Sequence, residues 1–256
     1  MCPKYPLTPA LQSPKKIHKT NRSENMITLL NESCFDMLKT LSSNSVDLFL
    51  IDPPYEVSRD TNFQSGQAKG KDTDRFRVSM NFGDWDNNFT GLDTVISEAY
   101  RILRKSGTLI CFYDLWKITT LKEYLDKAGF KQIRFIEWVK TNPVPINSKT
   151  NYLTNAREAA VIGVKGGKPT FHSEYDNGIY RYPICHDKGR FHPTQKPLAL
   201  IEDLIEKHSN VGDTVVDCFS GSGTTAVAAY KHGRNFLGCE LSKDYYDKSI
   251  LRLHSQ

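Results

Sequence analysis

Residues 48–55 read LFLIDPPY. Four apolar residues, Leu48 to Ile51, run as a strand into a carboxylate, two prolines and an aromatic ring. Asp52 offers an acceptor. Pro53 offers its carbonyl, and Pro54 biases Pro53 toward extended geometry. Tyr55 offers a ring face on which a planar base can stack, worth roughly 1–3 kcal/mol per base. The set suits an exocyclic amine of adenine or cytosine. Such an amine is a poor nucleophile because its lone pair is delocalised into the ring. Acceptors that take hydrogen bonds from its N–H groups draw the nitrogen toward tetrahedral geometry and aim the lone pair at an electrophile. The amine becomes acidic only as it is alkylated, so the work is positioning and electrostatics rather than strong base catalysis. A base handled this way must leave its stack. The plainer alternative is a strand-ending turn with Pro-Pro as a stop signal.

A second constellation lies near the C-terminus, in GDTVVDCFSGSGTTAVAAYKHGRNFLGCELS over residues 212–242. It reads as strand, glycine turn, helix, strand and acid, a nucleotide-binding βαβ unit. Gly221 and Gly223 permit a tight turn and close backbone approach. Glu240 is placed to accept hydrogen bonds from ribose hydroxyls. GSGTTA satisfies the dinucleotide fingerprint, with Glu240 seventeen residues past Gly223, so an NAD enzyme competes here. Asp217, four residues before Gly221, leans the other way. An acid so close to the turn repels a pyrophosphate and suits a ligand carrying an ammonium group. Phe219 can line the pocket. S-adenosylmethionine has the ribose, the cationic tail and no phosphate.

Both constellations end apolar strands, and the rest of the chain must bring those ends together. Short apolar runs alternate with helical patterns, which predicts a doubly wound, mostly parallel sheet of seven-stranded type with helices on both faces. Strands are expected at 26–30, 46–51, 107–113, 131–139, 158–164, 213–218 and 234–239. Helices are expected at 34–41, 91–104, 116–128, 197–208, 223–232 and 243–254. In such a sheet ligands sit outside the carboxyl ends of the strands at the switch point. Two stretches fit neither pattern. Residues 56–90 are polar and glycine-bearing; residues 165–192 mix Gly, Pro, His and aromatics with weak periodicity. Irregular insertions of this length point to substrate contact or mobility.

The 256 residues carry a formal charge of +5, which suggests a polyanionic partner. Residues 1–25 form a basic, proline-bearing segment without apolar periodicity, read as a flexible arm before a single domain over 26–256. The six cysteines show no CxxC and no metal-ligand spacing. They read as buried hydrophobes in a reducing compartment. With no signal peptide and no membrane-spanning apolar run, a cytoplasmic protein is expected.

DPPY (52–55) followed by FSGSG (219–223), in that order, resembles the beta group of bacterial and phage DNA amino-methyltransferases. HPTQKP (192–197) and WVKTNPVP (138–145) share the resemblance, which covers about residues 26–254. It implies a Rossmann-like fold, S-adenosylmethionine as cofactor and DNA, double- or single-stranded, as partner. It implies Asp52, Pro53, Pro54 and Tyr55 as the catalytic set. Asp217, Phe219, Ser220, Gly221, Ser222, Gly223 and Thr224 would form the cofactor turn, with Glu240 on the ribose. His192, Thr194 and Lys196 would lie near the methionine tail, Lys196 attracting its carboxylate; the alternative for Lys196 is a solvent-exposed residue at a helix start. Many members carry an acid where Ser33 stands here; by this alignment the Ser33 hydroxyl takes the adenine contact, with a shift to Glu32 as the alternative. The target-recognition segment falls at about 165–191, with Lys165, Lys168, Arg181, Lys188 and Arg190 as DNA contacts. Residues 56–90 would close over the flipped base, with Trp85 as a lid or a core plug. Asp in the first motif position favours N6-adenine over N4-cytosine. Cytosine-N4 or RNA amino-methylation, an NAD oxidoreductase and a silent nucleic-acid-binding module stay open as alternatives. A homodimer and a cognate restriction enzyme are the further partners the resemblance suggests.

Overall fold

The computed structural model describes residues 25–54, 89–143, 154–185 and 190–256. Tyr55, Trp85, Lys188, most of the 56–90 insertion and the N-terminal arm lie outside the described residues. In chain order the elements are β1 (Ile27–Leu30), α1 (Cys34–Thr40), β2 (Val46–Ile51), α2 (Leu92–Ile102), β3 (Leu103–Tyr113), α3 (Ile118–Ala128), β4 (Lys131–Lys140), β5 (Arg157–Val164), β6 (Ile179–Tyr182), α4 (Leu198–His208), β7 (Thr214–Asp217), α5 (Thr224–Lys231), β8 (Asn235–Cys239) and α6 (Lys243–His254).

The strands form one sheet in the order β1-β8-β7-β2-β3-β5-β4-β6. Among the described residues β5 alone runs against its neighbours, pairing antiparallel with both β3 and β4. Alternation along β2 shows how the layers arise. Phe49 and Ile51 enter one core with α1, α2 and α3; Leu48 and Leu50 enter the other, with α4 and α5. Buried on both faces, the strand reads as a continuous apolar run.

β7 and β2 are direct neighbours, with Leu48 opposite Val215 and Phe49 opposite Val216. From β2 the chain passes through α2 to β3 on one side; from β7 it passes through α5 to β8 on the other. The winding therefore reverses between β2 and β7, and their carboxyl ends frame the switch-point crevice.

The doubly wound, mostly parallel sheet is as expected, with two departures. β3 begins at Leu103, four residues before the expected 107. Its first residues pair irregularly with β2, and Ser106 takes a positive φ of 73°. An eighth strand, β6, occupies the stretch expected to be irregular and adds to the outer edge of β4. Its IYRY alternates correctly, with Tyr180 buried between exposed neighbours, but four residues are too few for a periodic signal. The five described cysteines are buried. No helix among the described residues is long and apolar enough to cross a membrane.

Candidate active site

The glycine turn is braced from inside. Asp217 ends β7, buried, with Oδ1 accepting from the Phe219 N–H (2.9 Å) and Oδ2 from the Thr225 hydroxyl (2.7 Å). Gly221 and Gly223 take positive φ of 49° and 70°. A Cβ on Gly223 would stand 3.0 Å from Ser249 Cβ on α6, so the turn needs glycine for conformation and for room. The α6 helix supports the turn from behind. The Ser249 hydroxyl donates to the Gly221 carbonyl (2.8 Å), and Arg252 donates to the Ser222 carbonyl (3.0 Å) and the Thr224 hydroxyl (2.9 Å). At the end of β8, Glu240 accepts from the Gly221 N–H and the Ser242 N–H, each at 2.8 Å. Ser220 and Ser222 are buried within the turn. Phe219 meets Phe89 edge-on at 5.2 Å.

These carboxylates set the electrostatics. Burial pushes Asp217 up to about 7, and the charges of Asp52 and Glu240 add to the effect. A turn facing three acids repels phosphate and welcomes a cation. This set of acceptors thus fits S-adenosylmethionine, whose ribose suits Glu240 and whose cationic centres suit the acids, better than a dinucleotide.

The second corner follows β2. Asp52 is half-buried, and its Oδ2 accepts from Lys196 Nζ at 2.5 Å. Its Oδ1 is buried and has no hydrogen-bond partner among the described residues. Lys196 is itself buried and also pairs with Glu158 Oε2 at 3.0 Å, while Glu158 Oε1 pairs with Lys140 at 2.8 Å. The Lys196 ammonium stands 5.1 Å over the Phe112 ring. Burial raises the Asp52 carboxyl; Lys196 pulls it down and Glu158 pushes it up, leaving it above the ordinary range. Burial also opposes ionisation of Glu158, yet Lys196 and Lys140 together hold its carboxyl below the ordinary range. Pro53 is buried beside Asp52, and Pro54 is partly covered.

The HPTQKP segment touches both corners. The His192 ring lies against Gly221, its Nε2 3.3 Å from where a Cβ would stand, and packs on Tyr245 at 4.4 Å. Burial, with Lys196 and Arg190 nearby, pushes His192 down to about 4, so it is neutral at neutral pH. Thr194 is exposed, its hydroxyl 3.2 Å from His192 Nδ1. Lys196 is no solvent-exposed helix-start residue: it is 7% exposed and tied to the Asp52 corner. Ser33 caps α1, accepting from the Asp36 N–H (3.2 Å) and donating to Asp36 Oδ2 (2.7 Å). Its neighbour Asn31 reaches the site rim, donating to the carbonyls of Glu240 and Leu241.

The basic residues expected on DNA separate into two groups. Lys165 donates to Asn44 Oδ1 (2.8 Å) and to the carbonyls of Arg101 (3.1 Å) and Leu103 (2.8 Å), at the amino end of β3. Lys168 follows on the same connection, exposed, just past Gly167, whose carbonyl accepts from Gln132. Because β5 runs antiparallel, its carboxyl end delivers both lysines to the end of the sheet away from Asp52. Their expected place beside the site is corrected accordingly. Arg181 stays with the site end: it is exposed on β6, opposite Val139 near the carboxyl end of β4. The Arg190 guanidinium donates to the carbonyls of Cys185, His192 and Pro193 and ties that segment together.

Sequence reasoning missed Glu158, Ser249 and Arg252, and assigned no role to Lys140. A single acid at the start of a continuously apolar strand carries no signal, and serine and arginine on an amphipathic helix read as its polar face.

The comparisons with known proteins follow this geometry. Residues 46–251, from β2 through most of α6, match the DNA methylase family. The Type II methyltransferase M2.MboI of Moraxella bovis is 30% identical over 244 residues, 87% of this chain and 85% of that one. M2.DpnII of Streptococcus pneumoniae, also a Type II methyltransferase, is 29% identical over 255 residues, 91% and 92% of the two chains. Among solved structures, the M1.HpyAVI–SAM complex superposes with a TM-score of 0.66 at 29% identity, covering 89% of this chain and 100% of that one. The cytosine-N4-specific PvuII DNA methyltransferase, at 16% identity and a TM-score of 0.69 over 90% of this chain and 86% of that one, shares the fold. The NAD reading of the glycine turn is thereby set aside: the family match over residues 46–251 and the relatives that share most of the chain place this protein in the DNA methylase family, as a DNA methyltransferase that uses S-adenosylmethionine.

Proposed function

We propose that the protein methylates the exocyclic N6 amine of an adenine flipped out of DNA at a short specific site. The observation that carries this reading is the Asp52 corner. A carboxylate with one oxygen engaged by Lys196 and the other buried with no hydrogen-bond partner among the described residues stands at the end of the strand beside the glycine turn. An unsatisfied buried acceptor is costly, and a donor supplied by the substrate relieves it. The acid in the first motif position favours adenine over cytosine, and the relatives named Type II methyltransferases fit a partnership with a restriction enzyme reading the same site.

In this reading the bound cofactor would supply an electrophilic methyl carried on a cationic sulfur. Glu240 would hold its ribose, and Asp217, with the turn from Phe219 to Thr224 and with His192 and Thr194 nearby, would hold its tail. Ser33 and Asn31 lie at the rim where its adenine would sit. Asp52 Oδ1 accepts one N–H of the target amine and the Pro53 carbonyl accepts the other, aiming the nitrogen lone pair at the methyl carbon. As the nitrogen gains its new bond it becomes cationic and releases a proton, which Asp52 Oδ1 takes up and passes to solvent. Tyr55 stacks on the base. Arg181 contacts the DNA backbone or base edges from the 179–191 part of the recognition segment.

The test is transfer of labelled methyl from the cofactor to DNA lacking this modification, followed by digestion to nucleosides. The expected product is N6-methyladenine. Label in N4-methylcytosine, or full activity of Asp52→Ala, would overturn the reading.

A further inference from the structure

The resemblance assigns Lys196 to the carboxylate of the cofactor's methionine tail. In the structure its ammonium is engaged by two carboxylates of the chain itself. Four charged side chains alternate in sign: Asp52 from the end of β2, Lys196 from the segment before α4, Glu158 from β5 and Lys140 from the end of β4. Two acids and two lysines make the row neutral overall, which lowers the cost of burying it. We propose that Lys196 is a positioning residue for methyl transfer: gripped between Asp52 and Glu158, it anchors the Asp52 carboxylate through Oδ2 and so presents Oδ1, ionised, to the target amine. This rests on the amine-methylating reading of Asp52 given above.

The geometry explains why a lone carboxylate would not suffice. A carboxylate at a strand end, next to two prolines that donate no N–H, has no backbone donor among the described residues to orient it. A charge-assisted hydrogen bond to one oxygen fixes the plane of the group and the direction of the other. Lys196 needs its own anchor, and Glu158 supplies it, itself held by Lys140. The groups facing Asp52 are Lys196, Glu158 behind it, the buried Cys111 thiol on β3 and Asp217 on β7, with Glu240 beyond Asp217. Of these Lys196 is the cation that favours the ionised form, and Glu158 is an anion that opposes it.

That opposition makes the test specific. Removing the cation in Lys196→Met raises the pKa of Asp52, so the acid limb of the pH–rate profile moves to higher pH. Removing the anion in Glu158→Gln lowers it, so the limb moves to lower pH. Lys196→Met also reduces kcat roughly ten- to a hundredfold, the range for losing one charge-assisted hydrogen bond. Lys196→Arg keeps a cation and keeps the limb in place. Cofactor affinity, measured by calorimetry on the purified variants, stays within about twofold for all three, since the row does not hold the cofactor. A limb that stays put in both Lys196→Met and Glu158→Gln would overturn the proposal and leave a structural ion-pair row. Weaker cofactor binding with kcat retained at saturation would overturn it in favour of a carboxylate clamp. Should Lys196→Met not fold, Glu158→Gln and Lys196→Arg still decide by the position of the limb. Wild-type protein yielding no methylated adenine would instead defeat the reading on which the proposal stands.

Discussion

The glycine corner and the Asp52 corner face one crevice but are held by different means. At the glycine corner the partners are near in sequence: Asp217 reaches Phe219 and Thr225 two and eight residues on, and Gly221 meets Glu240 nineteen residues on and Ser249 twenty-eight on. The hydrogen bonds that brace that turn come from one β-turn-α-β-α unit. At the Asp52 corner the partner of the carboxylate is 144 residues away, and one of its oxygens has no partner among the described residues. On the proposed function, the corner that would hold the cofactor can be complete before ligand arrives, whereas the corner that would do chemistry must keep an acceptor open for the substrate, so its support comes from distant charges rather than from local hydrogen bonds.

Substitutions should separate the two corners. The largest effect is expected from Asp52→Ala, which removes the acceptor aimed at the amine. Transfer should fall by roughly 10²–10³-fold or more, as for loss of a preorganised electrostatic contact, while cofactor binding by calorimetry is retained. Loss of both together would mean that the corners are not separable.

Gly223→Val is the converse. A β-branched residue at φ 70° is strained, and its Cβ would press on Ser249 at 3.0 Å. Cofactor affinity should weaken by roughly ten- to a hundredfold, with a lower melting temperature. Unchanged affinity would show that the cofactor does not rest on this turn.

A smaller effect probes the coupling between the corners. Burial raises the Asp217 carboxyl from 3.8 to about 7, so the folded protein holds that proton more tightly than the unfolded chain does. The stabilisation is fully present below the ordinary carboxylate pKa and is lost as pH rises through about 7. Thermal unfolding followed across that window should show stability declining with pH in the wild type and less so in Asp217→Asn. Because the Asp52 charge helps to raise Asp217, Asp52→Asn should move the decline to lower pH. A decline at the same pH in that variant would make the corners electrostatically independent.

The smallest effect on transfer is expected from Lys165→Ala. Its ammonium serves the carbonyls of Arg101 and Leu103 at the far end of the sheet. DNA affinity and transfer should stay within about twofold, with stability lower by about 1 kcal/mol. A large loss of DNA binding, measured by fluorescence anisotropy, would return Lys165 to the interface.

The sequence alone determined most of the elements and the glycine corner. Apolar periodicity places β2 at 46–51 and α6 at 243–254, as found, because burial on a known period is a local property. The turn with its two glycines, Asp217 and Glu240 is legible for the same reason: its partners lie within one supersecondary unit. IYRY was too short to announce β6. The fate of the basic residues depended on strand direction, which composition does not carry; β5 running antiparallel sent Lys165 away from the site, while parallel β6 kept Arg181 near it. Only the tertiary structure decided that β7 lies beside β2, and that Lys196 and Glu158 converge on Asp52. Charges brought together by long-range packing interact through space, and their separation along the chain leaves no pattern to read.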